Sequence, residues 1–216
     1  YATYNYTSSG INDYISSSNF NNPTYAKNIT LQLAAPTGFV AESYKVYPEQ
    51  NIVLSWNEVA EATSYKVYRR GDYSYSTYEY EYTELGETTD LTYSVETPEY
   101  NMNGVYYSLE AIYSEGVSKK VTLENPVKVT GYGSFSATVN VEGATMKLEG
   151  TDEFGAPQTY TIDDDGNGNY ASDEVLAGSY TATASAFGYN DATATVTVEY
   201  NGEPNYEFVM TEKPTA

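Results

Sequence analysis

Apolar residues along this chain alternate with polar ones and almost nowhere recur at helical spacing. FSATVNV places Phe135, Ala137, Val139 and Val141 on one face. ATMKLE repeats the pattern with Ala144, Met146 and Leu148, and YTATASA with Tyr180, Ala182, Ala184 and Ala186. DATATVTVE adds Ala192, Ala194, Val196 and Val198, and YEFVM adds Tyr206, Phe208 and Met210. Each run is short and bounded by Gly, Asn, Asp or Pro, which predicts antiparallel strands buried on one face. The expected fold class is therefore all-β, arranged as two tandem antiparallel sandwiches.

A length of 216 residues permits one large or two small domains, each with a core of its own. Boundaries are expected at Pro36 and Pro126. Residues 1–35 hold one acid and one base and have too few large aliphatic side chains for a core. They read as the tail of an upstream domain, or, through AKNITLQL, as a strand added to the next sheet. Residues 36–125 carry 15 acids and 6 bases, and residues 126–216 carry 14 and 3.

The middle segment has an ordered series of strand signals. PTGFVAES comes first, then NIVLSWNEV with Ile52, Leu54 and Trp56 on one face, then TSYKVYRRG, a strand running into a turn at Gly71. NGVYYSLEAIYSEGVSKKVTL supplies two more, joined at Ser114–Gly116. With Trp56 in the second strand, Tyr65 and Val67 in the third, and Tyr107-Ser108-Leu109-Glu110-Ala111 in the sixth, this segment resembles a fibronectin type III module. The resemblance implies that Tyr107 is a tyrosine-corner residue whose hydroxyl bonds back to the chain. The C-terminal segment resembles another family, the regulatory-like domain attached to carboxypeptidases, a transthyretin-like sandwich. Thr161, Asp163, Gly166 and Tyr170, then Gly178 to Thr181, then Gly188-Tyr189 carry that likeness. The stretch NVEGA is shorter than the family's opening. Both resemblances imply modules that space, stabilise or adhere and seldom catalyse.

Composition narrows the chemistry further. With 30 acidic against 10 basic residues the formal charge is −20, which disfavours nucleic acid and anionic lipid. There is no His and no Cys, so the commonest general base, the usual zinc ligand, disulfides and thiol catalysis are all excluded. No apolar run exceeds three residues, so no membrane-spanning segment is expected. The opening YATYNYT lacks an initiator Met and an apolar leader, so any signal peptide is expected to lie outside this sequence. Richness in Tyr, Ser, Thr and Asn points to a secreted or cell-surface setting, with a protein or glycan partner. The oligomeric state is not specified.

Three groups of residues could carry function. DDDGNGNYASDE satisfies the spacing of a calcium loop, with Asp163, Asp165, Asn167, Asn169 and Glu174 as candidate oxygen ligands around Gly168. The flanks read as strands rather than helices, so the alternatives are a hairpin-mounted calcium site and a plain polar turn. No other cofactor is expected. In YSYSTYEYEY, Tyr73 and Tyr75 share one parity and Tyr78, Tyr80 and Tyr82 the other. Such rings could stack on sugars or dock a protein from a sheet edge guarded by Glu79, Glu81 and Glu84, or they are ordinary strand pairs. Paired acids such as Glu58/Glu61, Glu79/Glu81 and Asp152/Glu153 read as a solvated acidic surface rather than a glycosidase pair. No nucleophile elbow or phosphate loop is present, and the chain is read as non-catalytic. The leading function is an accessory or adhesion region of an extracellular or cell-surface bacterial protein. The alternatives are a carbohydrate-binding module and the C-terminal non-catalytic region of a secreted peptidase.

Overall fold

The computed structural model describes residues 33–214, and every regular element among them is a β-strand. The lead, including nearly all of AKNITLQL, lies outside the described residues. The strands are β1 (Val40–Ala41), β2 (Lys45–Val46), β3 (Ile52–Ser55), β4 (Ser64–Ser74), β5 (Glu79–Thr88), β6 (Thr92–Val95), β7 (Asn101–Tyr113), β8 (Gly116–Val117) and β9 (Val121–Thr122). They continue with β10 (Val127–Val129), β11 (Tyr132–Val139), β12 (Thr145–Asp152), β13 (Pro157–Ile162), β14 (Asn169–Leu176) and β15 (Gly178–Ser185). The series closes with β16 (Tyr189–Asn190), β17 (Ala192–Val198), β18 (Asn205–Phe208) and β19 (Thr211–Glu212). One sheet runs β1-β3-β6, and another runs β2-β10-β7-β4-β5, with β8 and β9 also paired to β7. Among the described residues no helix is long and apolar enough to cross a membrane.

The chain divides into two compact units. Among the described residues one gathers 33–40 with Ser55–Tyr93 and Tyr107–Leu123, and the other gathers Ala41–Leu54, Ser94–Tyr106 and 124–214. In the first, Trp56 packs on Tyr65 with ring centroids 5.4 Å apart, and Phe39 meets Trp56 edge-on at 6.2 Å. Val67, Tyr107, Leu109 and Ala111 are fully enclosed beside them. Three expectations need correction here. The first strand, expected over PTGFVAES, is only two residues long. The chain does not turn at Gly71, because β4 continues through it to Ser74. The tyrosine-corner bond is not made, since the Tyr107 hydroxyl is buried without a hydrogen-bond partner. Tyr107 stands in the body of the long strand β7 rather than at a corner between sheets. The Tyr65 hydroxyl instead accepts from the Val59 N–H at 2.9 Å.

The second unit contains a two-sheet sandwich. A three-stranded sheet, β14-β11-β18, and a four-stranded sheet, β13-β12-β15-β17, enclose one apolar core. Phe135, Ala137, Tyr170 and Phe208 come from the first sheet, and Met146, Leu148, Tyr180, Ala182, Val196 and Val198 from the second. These are the inward positions of the alternating runs. Burying one such row on each sheet is what holds short strands together, since a lone hairpin is marginal in water. Strands β12 and β15 approach so closely that a Cβ on Gly150 would collide with the Ser179 carbonyl. All neighbours in the sandwich are antiparallel except β18, which runs parallel to β11.

Within the same unit, Asp152 corrects the solvated-acid reading. It is 4% exposed. Its Oδ1 accepts from the Phe154 and Ala156 N–H groups at 2.9 and 3.0 Å, and its Oδ2 from the Gln158 amide and the Tyr47 hydroxyl at 2.9 and 3.0 Å. Burial raises its pKa, but these four donors together hold it below the ordinary carboxylate value. Tyr100 donates to Glu153 at 2.7 Å and stacks on Tyr200 with centroids 4.5 Å apart.

Candidate functional site

The β4–β5 hairpin sets the tyrosine run in place. Tyr65 lies opposite Thr88, Tyr68 opposite Glu84, Arg70 opposite Tyr82, Tyr73 opposite Tyr80 and Ser74 opposite Glu79. The register slips between Arg70 and Tyr73, where Gly71 and Asp72 form a bulge facing Glu81. A Cβ on Gly71 would lie 3.4 Å from the Glu81 Cβ, so the bulge presses closely on β5. The extra residue changes the parity of β4, and Tyr73 thereby joins the face of Tyr80 and Tyr82. The turn that follows places Tyr78 at φ 58°, a left-handed conformation uncommon for a tyrosine. Among the described residues β5 ends its sheet.

The five tyrosines split into three groups. Tyr73 is central to one, with its ring 5.4 Å from Tyr75 and 5.1 Å from Tyr80, both edge-on. Tyr82 instead meets Tyr68 at 6.1 Å, and Lys120 sits over the Tyr68 and Tyr82 rings at 4.3 and 5.5 Å. Tyr78 stands at the turn. Arg70 covers the Tyr80 ring at 4.3 Å. Exposure rises along the hairpin, reaching 83% at Tyr75 and 77% at Tyr78. The spacing of the sequence separated Tyr73 from Tyr80; the bulge, marked only by Gly71, brings them together.

Below the tip lies a buried polar knot that the sequence did not single out. Tyr68 donates to one oxygen of Glu110, and the Lys120 ammonium pairs with the other at 2.8 Å. Burial, then the bond to Glu110, pushes the Tyr68 pKa well above that of a free tyrosine. A paired, hydrogen-bonded carboxylate is the form in which a buried acid is tolerated, so this knot ties β4 to β7 beneath the exposed rings.

The Asp-rich loop connects β13 to β14, strands of different sheets, and closes on itself through an antiparallel bridge between Asp164 and Tyr170, with the Asp165 N–H donating to the Asn169 carbonyl at 3.0 Å. Asp164, outside the calcium spacing, organises it. Its Oδ2 accepts from the Gly143 N–H at 2.8 Å, and its Oδ1 from the Gly166 and Gly168 N–H groups at 3.0 and 2.8 Å. Asp165 accepts from the Asn167 N–H at 2.8 Å and from the Asn169 side chain at 2.9 Å. The Gly143 N–H foremost lowers the Asp164 pKa, and the Asn169 amide foremost lowers that of Asp165. Gly168 has φ +79°, and a Cβ there would lie 2.5 Å from the Val139 carbonyl oxygen, so the turn requires glycine. Glu174 is exposed on β14. Among the described residues no group of three or more acidic side chains is gathered as a metal ion would need.

No protein-family model matches the chain, and no curated protein matches it. Some solved structures align with it. A two-domain fibronectin type III segment of chicken tenascin is 13% identical, covering 77% of this chain and 99% of its own, with a TM-score of 0.32. The Bacillus anthracis TIE protein is 12% identical over 81% of this chain, which spans 40% of that protein's length, with a TM-score of 0.32. A mutant of the shaft pilin spaA from Lactobacillus rhamnosus GG is 10% identical, covering 85% of this chain and all of its own, with a TM-score of 0.28. At these identities and scores the likeness locates no site residue.

Proposed function

We propose that this chain is a non-catalytic accessory or adhesion region of an extracellular or cell-surface bacterial protein, and that the tip of the β4–β5 hairpin is its binding element. The observation that carries the reading is the pair of exposed rings at Tyr75 and Tyr78, held out on a hairpin anchored by the Tyr68–Glu110–Lys120 knot. An aromatic side chain brings a large contact area at low entropic cost, so water-exposed rings on a firm support suit recognition. The reading keeps a fibronectin type III-like module over residues 36–125 and a carboxypeptidase regulatory-like module over 126–216. The enclosed Trp56–Tyr65 pair and the two-sheet core around Tyr170 and Tyr180 support two separate cores, while β10 (Val127–Val129), just past the boundary, pairs with β2 and β7 of the preceding segment. The absence of His and Cys from the sequence supports a non-catalytic role.

The test is binding of the full chain to an array of glycans and extracellular proteins, beside assays of peptide, ester and glycoside hydrolysis. Binding lost in the Tyr75→Ser/Tyr78→Ser double variant, without hydrolysis in either protein, is expected. Turnover removed by a single Ser or Glu substitution would overturn the reading. So would array binding that survives the double variant.

A further inference from the structure

We infer that the hairpin tip recognises an arginine-rich extended segment of a partner protein, a conclusion that rests on the hairpin being the binding element. The chain itself supplies the template. Each of the inner rings, Tyr68, Tyr80 and Tyr82, is already covered by a cation: Arg70 over Tyr80, and Lys120 over Tyr68 and Tyr82. The outermost rings, Tyr75 and Tyr78, are the most exposed of the run and carry no cation of the described residues over them.

The charge around them has the complementary sign. Residues 71–82 include Asp72, Glu79 and Glu81 and no base. All three carboxylates are exposed, and none is in an ion pair with a described residue. Farther down, Glu84 is paired with Lys66 at 3.1 Å. Among the described residues the tip thus combines rings with no cation over them and, within a few positions in sequence, carboxylates outside any ion pair, which is what a guanidinium satisfies: its plane stacks on a tyrosine face while its edge bonds a carboxylate.

Sugar is the poorer match. A sugar-binding strip presents coplanar ring faces, but Tyr73 meets Tyr75 at 84° and Tyr80 at 70°, and the Tyr80 face is already occupied by Arg70. An extended segment fits because Tyr75 and Tyr78 are the first and last residues of an exposed turn rather than the walls of a pocket, so successive arginines can meet successive rings. Each contact is weak, so affinity comes from several together.

Octa-arginine titrated into the full chain at physiological salt provides the test. Replacing Tyr75 and Tyr78 by Ser leaves the net charge unchanged and is expected to weaken binding about tenfold. Tyr75→Phe/Tyr78→Phe keeps the rings and is expected to retain it. Glu79→Gln/Glu81→Gln is expected to weaken it more than a matched charge change elsewhere, Asp173→Asn/Glu203→Gln, and equal effects of the two pairs would overturn the role of the tip carboxylates. Affinity indifferent to the Ser pair would mean that net charge alone draws the peptide, and the inference falls. If glycan binding is lost in the Ser pair while octa-arginine binding is not, the hairpin reading stands and the partner class is overturned. If neither responds to the Ser pair, both fall.

Discussion

In the C-terminal sandwich Tyr170 and Tyr180 are enclosed, and their hydroxyls donate to the carbonyls of Ala144 and Leu176 at 2.5 and 2.7 Å. At the end of the β4–β5 hairpin Tyr75 and Tyr78 stand in water, with no apolar layer over them. The same residue type therefore serves two opposed purposes in one chain. What separates them is whether a carbonyl waits at the far end of the ring. A core can accept a phenol when its hydroxyl is bonded, and the ring then contributes like any large apolar group. Tyr107 belongs to neither class, because it is as buried as Tyr180 but its hydroxyl is unmatched.

The sharpest way to break the comparison is to remove a ring from the sandwich. Tyr180→Ala is expected to cost about 3–5 kcal/mol in urea unfolding, the range for truncating a large core aromatic. A loss below 1 kcal/mol would mean that the ring is not part of the core.

High pH tests the same rings without mutation. Burial pushes the Tyr107 pKa up to about 12, and burial foremost raises that of Tyr180 as well. Below pH 10 both states keep these protons and stability is unaffected. Above pH 10 the unfolded state ionises first, so stability falls until the folded-state value is passed, by about 1.4 kcal/mol per pH unit for each such group. Melting temperatures should therefore hold to about pH 10 and then drop. A flat profile to pH 12 would contradict the burial of these hydroxyls.

Smaller changes sharpen the distinction among the buried rings. Tyr170→Phe and Tyr180→Phe each delete a bonded hydroxyl and should lose about 1 kcal/mol, whereas Tyr107→Phe deletes an unmatched one and should be neutral or stabilising. Equal losses in all three would show that Tyr107 finds a partner in solution. The smallest effect belongs to the tip, where Tyr75→Ser and Tyr78→Ser should each shift stability by less than about 0.5 kcal/mol.

The sandwich was legible in the sequence because its alternation has period two and each inward row is long enough to name a face. Phe135, Ala137, Met146, Leu148, Tyr180, Ala182, Val196 and Phe208 are all buried as that pattern requires. At the row ends the pattern weakens, and Val141, Ala192 and Ala194 are only partly covered. The site was less legible, for reasons of register. One bulge at Gly71–Asp72 turns Tyr73 toward Tyr80, and nothing local distinguishes that glycine from one in a turn. In the Asp-rich loop three adjacent aspartates look alike in sequence. Asp164 became the organising residue because Gly143, 21 residues earlier, presents its N–H there. The knot bonds Tyr68 to Glu110, 42 positions apart, and sets Lys120 over the Tyr68 ring from farther still, separations that periodicity does not read.

The parallel pairing of β18 with β11 has a mechanical consequence. Ser136, Ala137, Thr138 and Val139 lie beside Asn205, Tyr206, Glu207 and Phe208, with both strands pointing the same way. The chain therefore enters β11 and leaves β18 at opposite ends of their shared ladder. Tension along the backbone slides the two strands past each other and strains these bonds together, whereas pulling apart the open end of an antiparallel hairpin breaks them one after another. Loaded at Tyr132 and at Phe208, the β11–β18 ladder is strained in shear rather than unzipped.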